Sequence, residues 1–178
     1  MVGYEEMRIF KIHQGYRDLG ISYGLPVFYL DVGFGVSYSP EEIARRLFTL
    51  GLQKGNWVVL RNDPVGERGC GVLVMGLKQL GVRVEVEDNG LYGTPGWFPQ
   101  VDRWIIWYHQ NSKFNYGALR PRQDMLIYRG DDIVGFLEET DKLEILRAII
   151  TEDRKEVWDL VRTREVRVYE KKGDLDAI

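Results

Sequence analysis

The chain has 178 residues, of which 44% are hydrophobic and 29% charged, and it carries a formal net charge of −3. That length suits a single domain over residues 1–178, and the composition is that of a folded soluble protein rather than a disordered one. No apolar run reaches the ~18 residues that a membrane span needs, the start "MVGYEEMRIF" lacks a leader pattern, and the slightly acidic balance gives no reason to expect nucleic-acid binding, so the cytoplasm is the expected compartment.

"MRIFKI" (7–12) reads as a short strand and "PVFYLDV" (26–32) as a second. The second is nearly continuous in apolar and aromatic residues, as a strand covered on both faces would be. The glycine-rich stretch after it, "GFGVSY", reads as a turn. A helix then starts with Ser39 as cap, Pro40 at its first position and Glu42 closing a capping box. Ile43, Leu47 and Leu50 give it an apolar face, and Gly51 ends it. "WVVL" (57–60) is a third strand. A second helix is expected within 67–80, with Leu73, Leu77 and Leu80 as its buried stripe and Gly81 at its end. "VRVEVE" (82–87) alternates as a strand does, and "DNG" (88–90) turns the chain. "RWIIWY" (103–108) and "DMLIY" (124–128) are further strands, with loops at 88–101 and 109–123. Two helical patterns follow, one on Leu143, Leu146 and Ile150, the other on Val157, Trp158 and Val161. "EVRVYE" (165–170) is the last strand.

Strands alternating with helices predict βαβ units and a mostly parallel sheet. Only some connections have room for a helix, so one side of the sheet is expected to be better covered than the other. Ligands of such sheets sit beyond the carboxyl ends of the strands, which here are 31–37, 61–66, 87–92, 108–113 and 128–132.

The chemistry available is narrow. Cys70 is the one cysteine. It excludes an internal disulfide, and a cluster held by three or four thiolates of one chain. His13 and His109 belong to no ligand-spaced motif, so no metal site is expected. No phosphate loop, nucleophile elbow or Cys/His pair in a triad context is present.

Several stretches carry a resemblance. The chain opens "MRIFKIHQGYRDLGISYGLPVFYLDVGFG", with Gln14-Gly15, Gly24, Pro26, Phe28, Leu30 and Gly33 at marked positions. The third strand ends in Arg61-Asn62-Asp63-Pro64 and the fourth in Glu87-Asp88-Asn89-Gly90. The next runs from Asp102 through Trp104-Ile105 to Tyr108-His109-Gln110, and the following one starts at Gln123-Asp124-Met125-Leu126. In order and spacing these resemble the radical S-adenosylmethionine superfamily, and within it 7-carboxy-7-deazaguanine synthase with its shortened barrel. The resemblance spans almost the whole chain. It implies an α/β fold, an incomplete TIM-like barrel of mostly parallel strands with few helices, and a homodimer.

It also implies a loss. That family places a three-cysteine loop for a [4Fe–4S] cluster after the second strand, where this chain passes through "FGVSY" to Ser39. The turn then reads as a healed deletion of that loop, or else as an ordinary tight strand-to-helix connection. Where the family has Gly-Gly-Glu-Pro to bind the cofactor's amino group, Arg61 and Asn62 replace the glycines, and Asp63 keeps a carboxylate.

The expected function is that of a radical-SAM-like pseudoenzyme without an iron–sulfur cluster or other cofactor, acting by protein binding or regulation. Trp97, Phe98, Phe114 and Tyr116, in or near loops, are the candidate interaction surface. Trp104, Ile106 and Tyr108 read as one strand face turned to the core. The alternative is a binder of a purine, pterin or nucleotide in the remnant pocket, lined by Arg61, Asn62, Asp63, Glu87, Asn89 and Gln14, with Arg61 paired to a carboxylate or phosphate. Asp63 and Glu87 are the partners expected for Arg61 within the chain. An acid–base role for those two carboxylates is a third reading.

Overall fold

A computed structural model describes residues 6–17, 26–106, 125–128, 146–151 and 166–170, the last three stretches and residue 106 as backbone. Eight strands form one sheet in chain order: β1 (Met7–Gly15), β2 (Val27–Tyr38), β3 (Trp57–Arg61), β4 (Arg83–Asp88), β5 (Arg103–Ile106), β6 (Met125–Tyr128), β7 (Leu146–Thr151) and β8 (Val166–Glu170). β1 runs antiparallel to β2, and every later pairing is parallel. Among the described residues the sheet is open, with β1 paired to β2 alone and β8 to β7 alone.

Two helices, α1 (Pro40–Thr49) and α2 (Cys70–Gln79), fill the β2–β3 and β3–β4 connections. Ser39 caps α1, its Oγ accepting from the Glu42 N–H at 3.2 Å. The reciprocal half of the expected capping box is replaced, because the Glu42 carboxylate turns forward to Arg45 and Arg46. Ile43 and Leu47 of α1 and Cys70, Leu73, Val74 and Leu77 of α2 are buried against Phe28, Leu30, Val32, Val58, Leu60, Val84, Val86 and Trp104. Both helices therefore cover the same sheet face. Leu50 and Leu80, expected in the buried stripes, cap the helix ends and are exposed.

The structure corrects two of the expected elements. The stretch read as a glycine-rich turn is strand: β2 continues to Tyr38 and stays paired with β1. Val32 and Val36 both face Ile9, so Gly33, Phe34 and Gly35 form a bulge between them. A Cβ on Gly35 would collide with the Ile9 carbonyl, so glycine there lets the two backbones meet. The second correction is at 146–151, read as helix from Leu146 and Ile150 but forming β7. A spacing of four fits both a helix face and a strand face. The β-branched run Ile149-Ile150-Thr151 favours the strand. Leu143, the pattern on Val157, Trp158 and Val161, and the 109–123 loop lie outside the described residues.

Candidate functional site

The face of the sheet opposite α1 and α2 is as buried as the face they cover, and it is charged. Strand register arranges it in rows. Tyr29, Val59, Glu85 and Arg103 align across β2 to β5. One step toward the carboxyl ends, Asp31 pairs with Arg61, and Glu87 with Ile105, in the next row. Tyr29, Val59, Glu85 and Ile105 are fully buried, and Asp31 and Glu87 nearly so. Alternation in β4 thus separates two buried faces, an apolar one under the helices and an acidic one opposite.

The acidic groups are matched by cations. Arg61 grips Asp31 with two bonds, Nε to Oδ1 at 2.6 Å and Nη2 to Oδ2 at 3.0 Å, the planar fork that guanidinium offers a carboxylate. His13, opposite Tyr29 on β1, brings Nε2 to 2.7 Å from Asp31 Oδ2. Its ring stacks on Tyr29 at 5.0 Å, and the Arg61 guanidinium lies 4.2 Å from the same tyrosine ring centre. Burial pushes the Asp31 carboxyl up, but the bonds and charges of Arg61 and His13 outweigh it and hold the group below its ordinary value. Arg17 bridges the two rows, with Nε 3.2 Å from Glu85 Oε2 and Nη2 2.8 Å from Glu87 Oε2. Arg103, its guanidinium 4.5 Å from the Trp57 ring centre, reaches Glu85 Oε1 at 3.3 Å.

Above these rows the β3 and β4 ends are tied together. Asn62 and Asp63 both take left-handed backbone, with φ of 64° and 58°, a conformation these two residue types tolerate better than most. Asp63 accepts from the Asn89 backbone N–H at 3.0 Å and from Asn89 Nδ2 at 2.9 Å. Asp88 accepts from the N–H groups of Gly90 at 2.8 Å and Val65 at 3.4 Å. Burial is the main force that pushes its carboxyl up to about 6, with the Asp63 charge adding to it.

The six residues expected to line one pocket thus divide. Arg61 and Glu87 sit in one row, and Arg61 pairs with Asp31, its direct cross-strand neighbour. Asp63 and Asn89 bond to each other. Asn62 is exposed. Gln14 is exposed and pairs with Phe28, on the face opposite to His13. Trp97 and Phe98 are half-buried and packed against the core: Trp97 stacks on Trp104 at 5.8 Å, and a Cβ on Gly71 would come within 2.6 Å of its ring. Phe114 and Tyr116 lie outside the described residues.

Sequence reasoning passed over His13, Arg17, Asp31, Glu85 and Arg103. A signal existed for two of them. Asp31 interrupts an apolar strand, and Glu85 stands with Glu87 in a strand that follows a buried helix. Charges at such positions are buried and need partners. Among the described residues no three His, Cys, Asp or Glu side chains are grouped to hold a metal ion.

Among the described residues, the fold and this face define a mixed α/β protein with a mostly parallel sheet, α1 and α2 on one side and a charged, buried face opposite them. Compared with known proteins, the chain matches no family model and no curated protein. Among the described residues no helix is long and apolar enough to cross a membrane.

Proposed function

We propose that this chain is a catalytically inactive, radical S-adenosylmethionine-like protein, similar to 7-carboxy-7-deazaguanine synthase, that acts by binding another protein. The observation that carries this reading is the internal pairing of the strand-end groups that the resemblance implies for cofactor binding. Asp63 bonds to Asn89, Arg61 to Asp31 and Glu87 to Arg17. The sole thiol supports it as well. Cys70 is fully buried in the core under the helices, where burial pushes its pKa far up, away from the thiolate form that binds iron.

An incomplete TIM-like barrel is the architecture we infer. Successive parallel strands lie side by side without a reversal of order, and the face opposite α1 and α2 is buried in registered rows, as a barrel interior is. A homodimer is part of the proposal. Phe10, Phe34 and Val36 are exposed around the β1–β2 bulge beside the outer strand.

Calorimetry tests the reading. Wild-type protein is expected to bind no S-adenosylmethionine, and Arg61→Gly alone is expected not to restore binding, since the cluster thiolates are also missing. Tight binding by the wild type would overturn the proposal.

A second reading, binding of a small molecule at the carboxyl ends of the strands, is favoured by one atom. His13 Nδ1 is buried and has no hydrogen-bond partner among the described residues. Thermal unfolding with nucleotides and a pterin tests it. A ligand present at a hundred times its Kd stabilises a fold by about 2.7 kcal/mol.

A further inference from the structure

We infer that His13 Nδ1 is the accepting atom of a site for a small, uncharged ligand that presents an N–H or O–H group. The inference rests on the small-molecule reading and names the chemistry of its ligand.

The tautomer follows from the neighbours. Asp31, held below its ordinary pKa, is a carboxylate and can only accept. The bond at 2.7 Å therefore has His13 Nε2–H as its donor. In the neutral ring the other nitrogen then carries a lone pair. Asp31 is itself gripped by Arg61, and the imidazole is stacked on Tyr29, so the ring is fixed in orientation as well as in tautomer. This is how proteins prepare a histidine to meet a proton donor at its remaining nitrogen. The side chain is only 9% exposed, so bulk water is largely kept from that lone pair. A buried acceptor without a donor is costly. A ligand N–H or O–H would remove the cost.

Charge decides what kind of ligand. Among the described residues the carboxylates of Asp31, Glu85 and Glu87 in the two rows are matched by the guanidiniums of Arg17, Arg61 and Arg103. A ligand with net charge would unbalance a buried set that is already compensated, and burying an unmatched charge is expensive. An uncharged donor adds a hydrogen bond and leaves the balance intact.

The test follows the imidazole nitrogens by long-range 1H–15N NMR in protein labelled at histidine, with His109→Gln used to assign the two rings. The probes are uracil and myo-inositol as uncharged donors, and inorganic phosphate and guanidinium as charged ones. The free protein is expected to show an unprotonated Nδ1 and a protonated Nε2 at His13. An uncharged probe is expected to move the Nδ1 resonance saturably, with its binding lost in His13→Phe, which keeps a ring on Tyr29. Nδ1 found protonated or already hydrogen-bonded in the free protein would overturn the inference. So would binding of a charged probe alone with Nδ1 unmoved, which would leave the small-molecule reading standing. If no probe moves either His13 nitrogen, the inference falls, and thermal unfolding with nucleotides and a pterin decides the small-molecule reading separately.

Discussion

Asp88 closes β4 with its carboxylate turned back onto the chain, and Asp31 sits one sheet face away, bonded by Arg61 and His13. The two respond to pH in opposite senses. Asp88 has its pKa raised from 3.8 to about 6, so the folded state holds this proton more tightly than the unfolded one. The stability it contributes is complete below its ordinary value and is lost as the pH rises through about 6. A shift of that size corresponds to roughly 3 kcal/mol at most. Asp31 has a lowered pKa, so its contribution is present above its ordinary 3.8 and is lost as the pH falls through the depressed value. Urea midpoints measured from pH 3 to pH 8 should therefore show both limbs. Asp88→Asn should flatten the fall between about pH 4 and 6 and leave the acid limb in place. An unchanged fall in that variant would mean that another group titrates there.

At the scale of elements, what the sequence made legible depended on how local the signal was. Helix α1 could be read almost to the residue, because its cap, its first-turn proline and its terminal glycine are chemical signals in the chain itself. β3, β4 and β8 were legible as short apolar or alternating runs. β7 was misread because its apolar residues repeat at a spacing common to helix and strand. The bulge in β2 was misread because glycine marks turns and bulges alike, and only the partner strand decides between them. The charged rows were out of reach for a similar reason. Arg17 meets Glu85 and Glu87 across 68 and 70 positions of chain, which no short pattern records. Gly35 gives the bulge a direct test. Gly35→Ala should lower the melting temperature by several degrees, since its methyl group would meet the Ile9 carbonyl and part β1 from β2. A melting temperature equal to wild type would mean that the hairpin accommodates the methyl freely.

At the scale of the whole molecule, the described residues present two unlike surfaces for contact. The helix side shows polar ends and scattered apolar residues such as Val72 and Met75. The β1–β2 end shows Phe34, 91% exposed, beside Phe10 and Val36. If the proposed homodimer uses this end, light scattering at micromolar concentration should report twice the chain mass, and Phe34→Ser should shift the protein toward monomer without lowering the far-UV helical signal. A wild-type monomer would remove the dimer from the proposal.

The strand order has a consequence for how the chain assembles. Each strand finds its neighbour in the next stretch of sequence, from β1 through to β8. Every pairing then closes a modest loop, and the entropy lost at each step stays small. The sheet can grow as the chain leaves the ribosome, with the β1–β2 hairpin as its first template and each new strand arriving beside the last one laid down. At every stage one fresh edge is open, and it is offered first to the strand about to be synthesised.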